Sequence, residues 1–242
     1  MSAPNGRGRG TARGAGARLA LAGVLVAALM GCARLYGAEA PVVLPAPTID
    51  NPRAAGERQT AVLAAGCFWG VQGVYEHVRG VTRVLAGYAG GTRATAQYEI
   101  VGRGDTGHAE SVQITFDPEQ ISYGQILQIA FSVVHDPTEL NRQGPDVGSQ
   151  YRSALFVADE TQRRIAASYI EQLNAAHVFA KPISTRLEPL RGFYPAEGYH
   201  QDFLERHPTH PYIAYNDLPK VENLKRLFPD LYQAQPVLAA GR

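Results

Sequence analysis

Hydrophobic positions from Thr60 onward follow two periods, and the order of these periods predicts the fold. Short apolar runs and alternating polar and apolar positions predict strands at residues 60–65, 81–88, 108–116 and 153–157, with a further possible strand at 183–187. Apolar residues three or four apart predict helices at residues 68–78, 122–134 and 159–176, the last two capped by Ser122 and Asp159. The order β-α-β-β-α-β predicts a ferredoxin-like α+β fold, with helices on one face of an antiparallel or mixed sheet.

Two stretches of the same region lack a clear period. Residues 136–151 read as a long polar loop, and loops of this length in compact domains are often functional. After about Phe193 the chain is rich in Pro, His and Tyr, and only short helices are predicted, at residues 199–206 and 221–227. We therefore expect this part of the chain to wrap irregularly over the core.

The first 59 residues are predicted to lie outside the folded domain. A basic, acid-free stretch precedes the apolar run from Leu19 to Met30, as in a secretory signal, and twelve apolar residues are fewer than the roughly 20 that cross a bilayer. Gly31-Cys32 completes a sequence that resembles a bacterial lipobox, so residues 1–31 are predicted to be a signal peptide and Cys32 a lipid anchor. An ordinary cleavage after Ala40 and a retained anchor are the alternatives.

Domain boundaries follow from these segments. The Pro-containing, aperiodic residues 32–59 are predicted to form a flexible linker. Residues 60–232 would form the catalytic domain, and residues 233–242 a flexible tail. The expected location is the cell envelope or periplasm, with the chain lipid-anchored to the membrane and monomeric.

Composition narrows the possible functions. The chain has 242 residues, a net charge of +1 and 19% charged residues, so nucleic-acid binding through a broad basic surface is not expected. Cys32 and Cys67 are its two cysteines, which excludes a disulfide framework and a cysteine zinc site. A lone thiol in the domain of an exported protein raises the question of its reactivity.

Cys67 lies where a strand meets the first turn of a helix. There the helix dipole and free backbone N–H groups favour the thiolate, although a single cysteine is often buried and inert. Phe68 and Trp69 follow and would form an apolar wall or part of the core. Glu110 would donate a proton if buried against apolar groups, and His108 would act as a base if it met Cys67.

Five motifs in order identify the chain as similar to the A-class peptide methionine sulfoxide reductases. They are GCFWG at 66–70, GYAGG at 87–91, GRGDTGHAE at 102–110, RQGPDVGSQYRS at 142–153 and FYPAEGYHQ at 193–201. The resemblance runs from about Thr60 to Tyr232. It implies reduction of the S epimer of methionine sulfoxide, free or in peptides and oxidised proteins, without a metal or bound cofactor.

The resemblance also implies a role for each matching residue. Cys67 would attack the sulfoxide sulfur and become a sulfenic acid, and Phe68 and Trp69 would hold the substrate methyl group. Glu110 would protonate or hydrogen-bond the sulfoxide oxygen. The remaining matches are Tyr98 and Tyr151, which would hydrogen-bond that oxygen, and Asp146, a polar residue near the nucleophile.

One departure from the family concerns the electron donor. Many relatives carry further cysteines near the C-terminus that resolve the sulfenic acid, whereas residues 68–242 here contain none. An external thiol such as thioredoxin or glutaredoxin is therefore expected to resolve it, unless Cys32 stays unlipidated and folds back. The competing hypotheses are a thiol hydrolase using Cys67 with His108 or His200, a non-catalytic binding lipoprotein and a peroxide-reducing thiol enzyme.

Overall fold

The computed structural model of the chain describes residues 40–51 and 56–239. Within them, one six-stranded sheet has the order β7-β6-β1-β3-β2-β8, and β4 and β5 form a separate two-stranded hairpin. The strands are β1 (Gln59–Ala65), β2 (Val81–Ala89), β3 (Ala109–Phe116), β4 (Arg142–Gln143), β5 (Asp146–Val147), β6 (Ser153–Val157), β7 (Arg186–Pro189) and β8 (Phe193–Pro195). The predicted signal segment and Cys32 lie outside the described residues.

Six α-helices occur among the described residues. They are α1 (Phe68–Glu76), α2 (Tyr98–Val101), α3 (Tyr123–Ile129), α4 (Glu160–Ala175), α5 (Phe203–Arg206) and α6 (Leu218–Leu227). A π-helical turn, Ala130–Val134, extends α3, and another, Ile213–Asp217, precedes α6. Ser122 and Asp159 accept backbone N–H groups at the starts of α3 and α4, so both predicted caps are confirmed.

The predicted ferredoxin-like order is confirmed. Strands β6, β1, β3 and β2 are antiparallel neighbours, while β7 joins β6 in parallel and makes the sheet mixed. Alternate residues of β1 serve two cores: Leu63 packs with the helices, and Val62 belongs to a smaller cluster on the opposite face that Leu190 and Phe193 cover. This arrangement brings the end of β1 and the start of α1 beside the start of β3.

Some predicted boundaries were wrong. The possible strand at 183–187 is found at Arg186–Pro189, and α6 starts at Leu218 rather than near Val221. Residues 136–151, predicted as a loop, contain the β4–β5 hairpin and a 3₁₀ turn, Ser149–Tyr151. Very short strands and turns carry too little hydrophobic periodicity to be read from sequence.

The prediction of a flexible linker is wrong for residues 40–51, which we call the N-terminal strap. The strap has no helix or strand, but the side chain of Leu44 is buried and the backbone binds α3, its π-helical extension and α4. The bonds include Val42 N–H to the Ser132 carbonyl (2.9 Å), the Tyr169 hydroxyl to the Pro45 carbonyl (2.9 Å) and Gln172 Nε2 to the Ala46 carbonyl (2.9 Å). The strap forms no helix or strand of its own, so these long-range hydrogen bonds hold it in place.

The prediction of a flexible tail is also wrong for residues 233–239. Backbone N–H groups of Gln233 and Val237 donate to the carbonyls of His77 and Glu76 at the end of α1, at 2.9 and 3.0 Å. The N–H of Ala239 donates to Asp202 Oδ1 at 2.8 Å. The tail is therefore packed against the end of the helix that begins beside Cys67.

Candidate active site

Cys67 occupies a sharp junction between β1 and α1. Gly66 makes the turn with φ +87°, and a Cβ added there would lie 2.7 Å from the side chain of Gln143. A glycine is needed here because other residues rarely adopt this conformation. Cys67 is the N-cap residue of α1, and its side chain is 9% exposed.

Glu110 meets the start of the same helix. Its Oε2 accepts the backbone N–H of Phe68 at 3.1 Å, and the residue is 4% exposed. Burial raises the pKa of Glu110 to about 8, with the Phe68 bond opposing and the charges of Asp146 and Asp217 adding to the shift. A carboxyl with this pKa is protonated at neutral pH and is able to donate a proton.

The predicted preference of Cys67 for the thiolate is wrong for the free site. Burial raises the pKa of the Cys67 thiol, and the charges of Glu110, Asp217 and Asp146 raise it further. The hydrogen bond from the Trp69 N–H lowers it, as expected at a helix N-terminus, but is the smallest of these effects. Glu110 and Asp146 were predicted near Cys67 from the sequence, whereas its burial and the charge of Asp217 were not.

Tyr98 and Tyr151 approach the same thiol and carboxyl from two other segments. Tyr98 opens α2, and burial together with the charges of Glu110 and Cys67 raises its pKa to about 12. Tyr151 ends the 3₁₀ turn, and burial followed by the charges of Glu110 and Asp146 raises its pKa as well. Both phenols therefore keep their protons at neutral pH and serve as hydrogen-bond donors.

Asp146 lies on β5 and accepts a hydrogen bond from the hydroxyl of Tyr212. Burial raises the pKa of Asp146, while the Tyr212 bond and the charge of Lys220 lower it. The β4–β5 hairpin thus brings Asp146 within electrostatic reach of Cys67 and Glu110.

Phe68 and Trp69 form an aromatic group next to the thiol. Phe68 is buried, and its ring centroid lies 5.0 Å from that of His200. Trp69 is half-buried, stacks on Phe203 at 3.8 Å between centroids, and donates from Nε1 to His200 Nδ1 at 3.1 Å. The indole is therefore held from two sides and keeps one orientation.

The structure brings together all seven residues predicted for the site and adds three from the C-terminal wrap. These are Tyr212, which bonds Asp146, and the buried ion pair between Asp217 and Lys220 (Oδ1 to Nζ 3.1 Å). A Cβ at Gly70, in the first turn of α1, would overlap the Asp217 carboxylate. The sequence signal for the pair was an acid three residues before a lysine at a helix start, a spacing that brings side chains together.

Neither histidine proposed for a hydrolase is arranged as a base for Cys67. His108 Nδ1 accepts the N–H of Gly91, and Nε2 lies 3.0 Å from the carbonyl of Thr92, so both ring nitrogens are engaged. His200 receives the Trp69 indole at Nδ1, which places the proton of the neutral ring on Nε2. The fold and site therefore define a cysteine-based enzyme in which a buried thiol and a protonated carboxyl meet at one helix start.

The described residues contain neither a metal-binding cluster nor a membrane-spanning helix. No group of three or more His, Cys, Asp or Glu side chains in them is placed to hold a metal ion. Within residues 40–51 and 56–239, no helix has the length and apolar character needed to span a bilayer.

Comparison with known proteins identifies the family. The sequence profile of peptide methionine sulfoxide reductases matches residues 59–231. A relative named peptide methionine sulfoxide reductase MsrA 2, from Mesorhizobium japonicum, is 59% identical over 188 residues, or 78% of this chain and 96% of the relative. One of the same name from Synechocystis sp. is 50% identical over 196 residues, or 80% and 92%.

Solved structures agree. The reduced form of Mxr1 from Saccharomyces cerevisiae matches with a TM-score of 0.59 and 31% identity, covering 67% of this chain and 92% of that one. Methionine sulfoxide reductase A of Corynebacterium diphtheriae matches with a TM-score of 0.54 and 31% identity, covering 73% and 89%. The chain belongs to the A-class peptide methionine sulfoxide reductase family and is a thiol-dependent oxidoreductase acting on methionine sulfoxide.

Proposed function

We propose that this chain reduces the S epimer of methionine sulfoxide, free and in oxidised proteins, with Cys67 as the nucleophile. The observation that carries the proposal is the contact at the start of α1, where Glu110 accepts the N–H of the residue that follows Cys67. The chemistry requires a nucleophile and a proton donor held together, as Cys67 and Glu110 are at this helix start. A sulfoxide oxygen leaves sulfur only when its negative charge is neutralised.

The reaction proceeds by attack of the Cys67 sulfur on the sulfoxide sulfur. The S–O bond of the substrate breaks, methionine leaves as a thioether, and the oxygen ends on Cys67 as a sulfenic acid. The substrate sulfur gains the two electrons that the Cys67 sulfur loses. The thiol of the resting enzyme supplies one proton, and Glu110 exchanges a proton with the oxygen as its charge grows.

The remaining predicted residues divide between the two ends of the sulfoxide group. Tyr98 and Tyr151 donate hydrogen bonds to the oxygen, and their raised pKa values keep them protonated for this role. Phe68 and Trp69 contact the methyl group, since apolar aromatic faces bind a methyl and exclude water. Asp146 orders the surrounding groups through Tyr212.

An external thiol resolves the sulfenic acid in this proposal. A thiol attacks the Cys67 sulfur, water leaves with the oxygen, and a mixed disulfide forms. A second thiol then reduces that disulfide and restores Cys67. Since residues 68–242 contain no cysteine, a thioredoxin, a glutaredoxin or a similar dithiol supplies both equivalents.

We also propose that the chain repairs proteins of the cell envelope as a lipid-anchored monomer. The basic residues, apolar run and Gly31-Cys32 of the N-terminal segment support this location. Membrane fractionation with mass spectrometry tests it: wild type should carry a diacylglyceryl group on Cys32, and Cys32→Ala should leave the membrane. An unmodified thiol at Cys32, or an N-terminus at Pro41, would contradict the anchor.

The activity is tested with the purified chain, dithiothreitol, and separate S and R epimers of a methionine sulfoxide peptide. We expect methionine from the S epimer alone and no product from Cys67→Ser. Circular dichroism of the variant controls for folding. Product from the R epimer would refute the stereochemical assignment, and product from neither epimer with folded protein would refute the function.

A further inference from the structure

Arg152 is a buried cation beside the proposed site that the mechanism above does not use. Its side chain is 6% exposed, and its guanidinium makes five hydrogen bonds. Three go to carbonyls: Nη1 donates to His108 (3.1 Å) and Ser149 (3.0 Å), and Nη2 donates to Gly107 (3.0 Å). Two go to the Glu188 carboxylate, from Nε at 3.0 Å and from Nη2 at 3.3 Å.

The carbonyls belong to the two segments that carry proton donors of the proposed reaction. Gly107 and His108 come directly before β3, and Glu110 is the second residue of that strand. Ser149 opens the 3₁₀ turn that ends at Tyr151, the neighbour of Arg152. The guanidinium therefore bridges the turn that carries Tyr151 and the strand entry that carries Glu110.

Two further bonds join the same pair of segments. Ser149 Oγ donates to the Gly104 carbonyl at 2.6 Å, and Gln150 Nε2 donates to the Gly102 carbonyl at 3.1 Å. These bonds run from the 3₁₀ turn to the other end of the loop before β3. The loop is consequently held at both ends. Arg152 makes the hydrogen bonds at the end that lies nearest to Glu110.

The surroundings of Arg152 are shaped for a guanidinium. Gly90 leaves the space, since a Cβ there would lie 2.7 Å from both Arg152 Nη2 and the Gly107 carbonyl. Glu188, on β7, accepts two parallel bonds and fixes the plane of the group. A lysine ammonium is a single point charge with three donors, so it does not span these partners.

We propose that Arg152 is a positioning residue for sulfoxide reduction, which holds the Tyr151 hydroxyl in line with Glu110. The inference rests on the proposed function, because it concerns the oxygen that both groups would bind. Arg152 acts through Tyr151 and does not contact the substrate. Its loss should therefore slow the chemical step by displacing a donor, and should matter little once the donor itself is gone.

A double-mutant cycle on the full chain tests this prediction. Single-turnover formation of methionine from the S epimer, without reductant, is measured for wild type, Arg152→Lys, Tyr151→Phe and the double variant. We expect the single-turnover rate of Arg152→Lys to be about 10-fold to 100-fold lower than that of wild type. A small misplacement of a catalytic group has an effect of this size. In the Tyr151→Phe background the same change should cost less than about two-fold, because interacting residues are non-additive.

The outcomes separate a positioning role from a structural one. Equal losses in both backgrounds, or a change in KM alone, would overturn the inference, since a general loss of stability does not depend on the Tyr151 hydroxyl. If wild type forms no methionine, the proposed function fails first. Thermal unfolding is followed for every variant. Arg163→Lys, which changes a partly exposed arginine paired with Glu160, is the matched control.

A second variant covers the case in which Arg152→Lys does not fold. Glu188→Gln keeps Arg152 and its three carbonyl bonds but weakens the pair that orients the guanidinium. We expect a smaller loss of rate that again disappears in the Tyr151→Phe background. A loss that persists there would count against the inference.

Discussion

At the scale of single residues, the site surrounds one thiol with three acids, of which Glu110 and Asp217 are buried and Asp146 is half-buried. Burial raises the pKa of Cys67 most, and the carboxylates of Glu110, when it is ionised, Asp217 and Asp146 raise it further. The resting thiol therefore keeps its proton, and a protonated thiol reacts slowly with oxidants. The same burial keeps Glu110 protonated at neutral pH, so in the proposed reaction an acid is present for the sulfoxide oxygen before substrate arrives.

If Glu110 is the acid of the proposed reaction, the reaction should have an alkaline limit. Its pKa is raised to about 8, so the proton-donating form is present below this pH and is lost as the pH rises through it. The single-turnover rate of wild type should fall accordingly, and Glu110→Gln should be about 10²-fold to 10⁴-fold slower, the usual contribution of a general acid. A pH profile of methionine formation measures both effects.

The matched control for this profile is Glu119→Gln, which changes an exposed acid shortly after the same strand. This variant should have the same single-turnover rate as wild type, and its rate should fall with rising pH as the wild-type rate does. If Glu110→Gln retained the fall near pH 8, another group would be the acid and the assignment of Glu110 would be wrong.

Only the site residues that lie in short recognisable motifs could be predicted from the sequence. Cys67 and its aromatic neighbours are contiguous, and Glu110 and Tyr151 lie in recognisable stretches. Tyr212, Asp217 and Lys220 reach the site from a segment without periodicity, through tertiary contacts that local sequence does not encode. The raised pKa of Cys67 was mispredicted for the same reason, since it depends on burial and distant acids.

At the scale of elements, the sheet and its two long helices were predictable because their hydrophobic periods are local. The N-terminal strap was not, because its residues bind through backbone carbonyls and single side chains. Asp50 shows how: Oδ1 accepts the N–H of Gly124 at 2.8 Å, and Oδ2 accepts the hydroxyl of Ser122, the N-cap of α3. The strap therefore completes the cap of a helix whose N-cap residue lies 72 residues away in sequence.

Removing this second cap should weaken the fold without affecting the site. We expect Asp50→Ala to lower the free energy of unfolding by about 1–2 kcal/mol, as for a lost helix cap. The rate of sulfoxide reduction should not change, because α3 starts at the end of the sheet opposite Cys67. Urea unfolding measures the first quantity, with exposed Asp230→Ala as the control. Unchanged stability would show that the strap does not support α3.

A second case at the scale of elements is Glu76, the last residue of α1, whose carbonyl binds the C-terminal tail. Burial raises the pKa of Glu76 to about 9, and the charges of Asp202 and Glu205 add to the shift. The neutral form is thus favoured in the folded chain. The pKa of the Glu76 carboxyl is 4.5 in the unfolded chain and about 9 in the folded chain. Its contribution to the free energy of unfolding is therefore complete below pH 4.5 and is lost progressively as the pH rises to about 9.

Glu76→Gln should remove this loss because an amide does not ionise. The variant should match wild type near pH 4 and become more stable as the pH rises, by at most about 1.4 kcal/mol per pH unit up to pH 9. Calorimetric melting across this range measures the difference. Glu171→Gln, on the exposed face of α4, should show no such trend, and a constant difference for Glu76→Gln would contradict the sign argued here.

At the scale of the whole molecule, the described part of the chain buries a single thiol at the junction of β1 and α1. Cys67 is the free cysteine of the described residues, and the sequence after it contains no other. A catalytic domain with one cysteine has no internal partner for a sulfenic acid. In the proposed reaction, the sulfenic acid therefore persists until a thiol from outside the domain reduces it.

The sulfenic acid form of Cys67 should accumulate in every chain when no reductant is present. With excess S-epimer substrate and no reductant, each chain should release one methionine and then stop, and dimedone should label Cys67 once. Intact-mass and peptide mass spectrometry measure both products, and Cys67→Ser should give neither. If Cys32 were free and folded back, a Cys32–Cys67 disulfide would replace the dimedone adduct, and Cys32→Ser would restore labelling. Continued turnover without any thiol would refute the sulfenic acid intermediate, because no electrons would remain to regenerate Cys67.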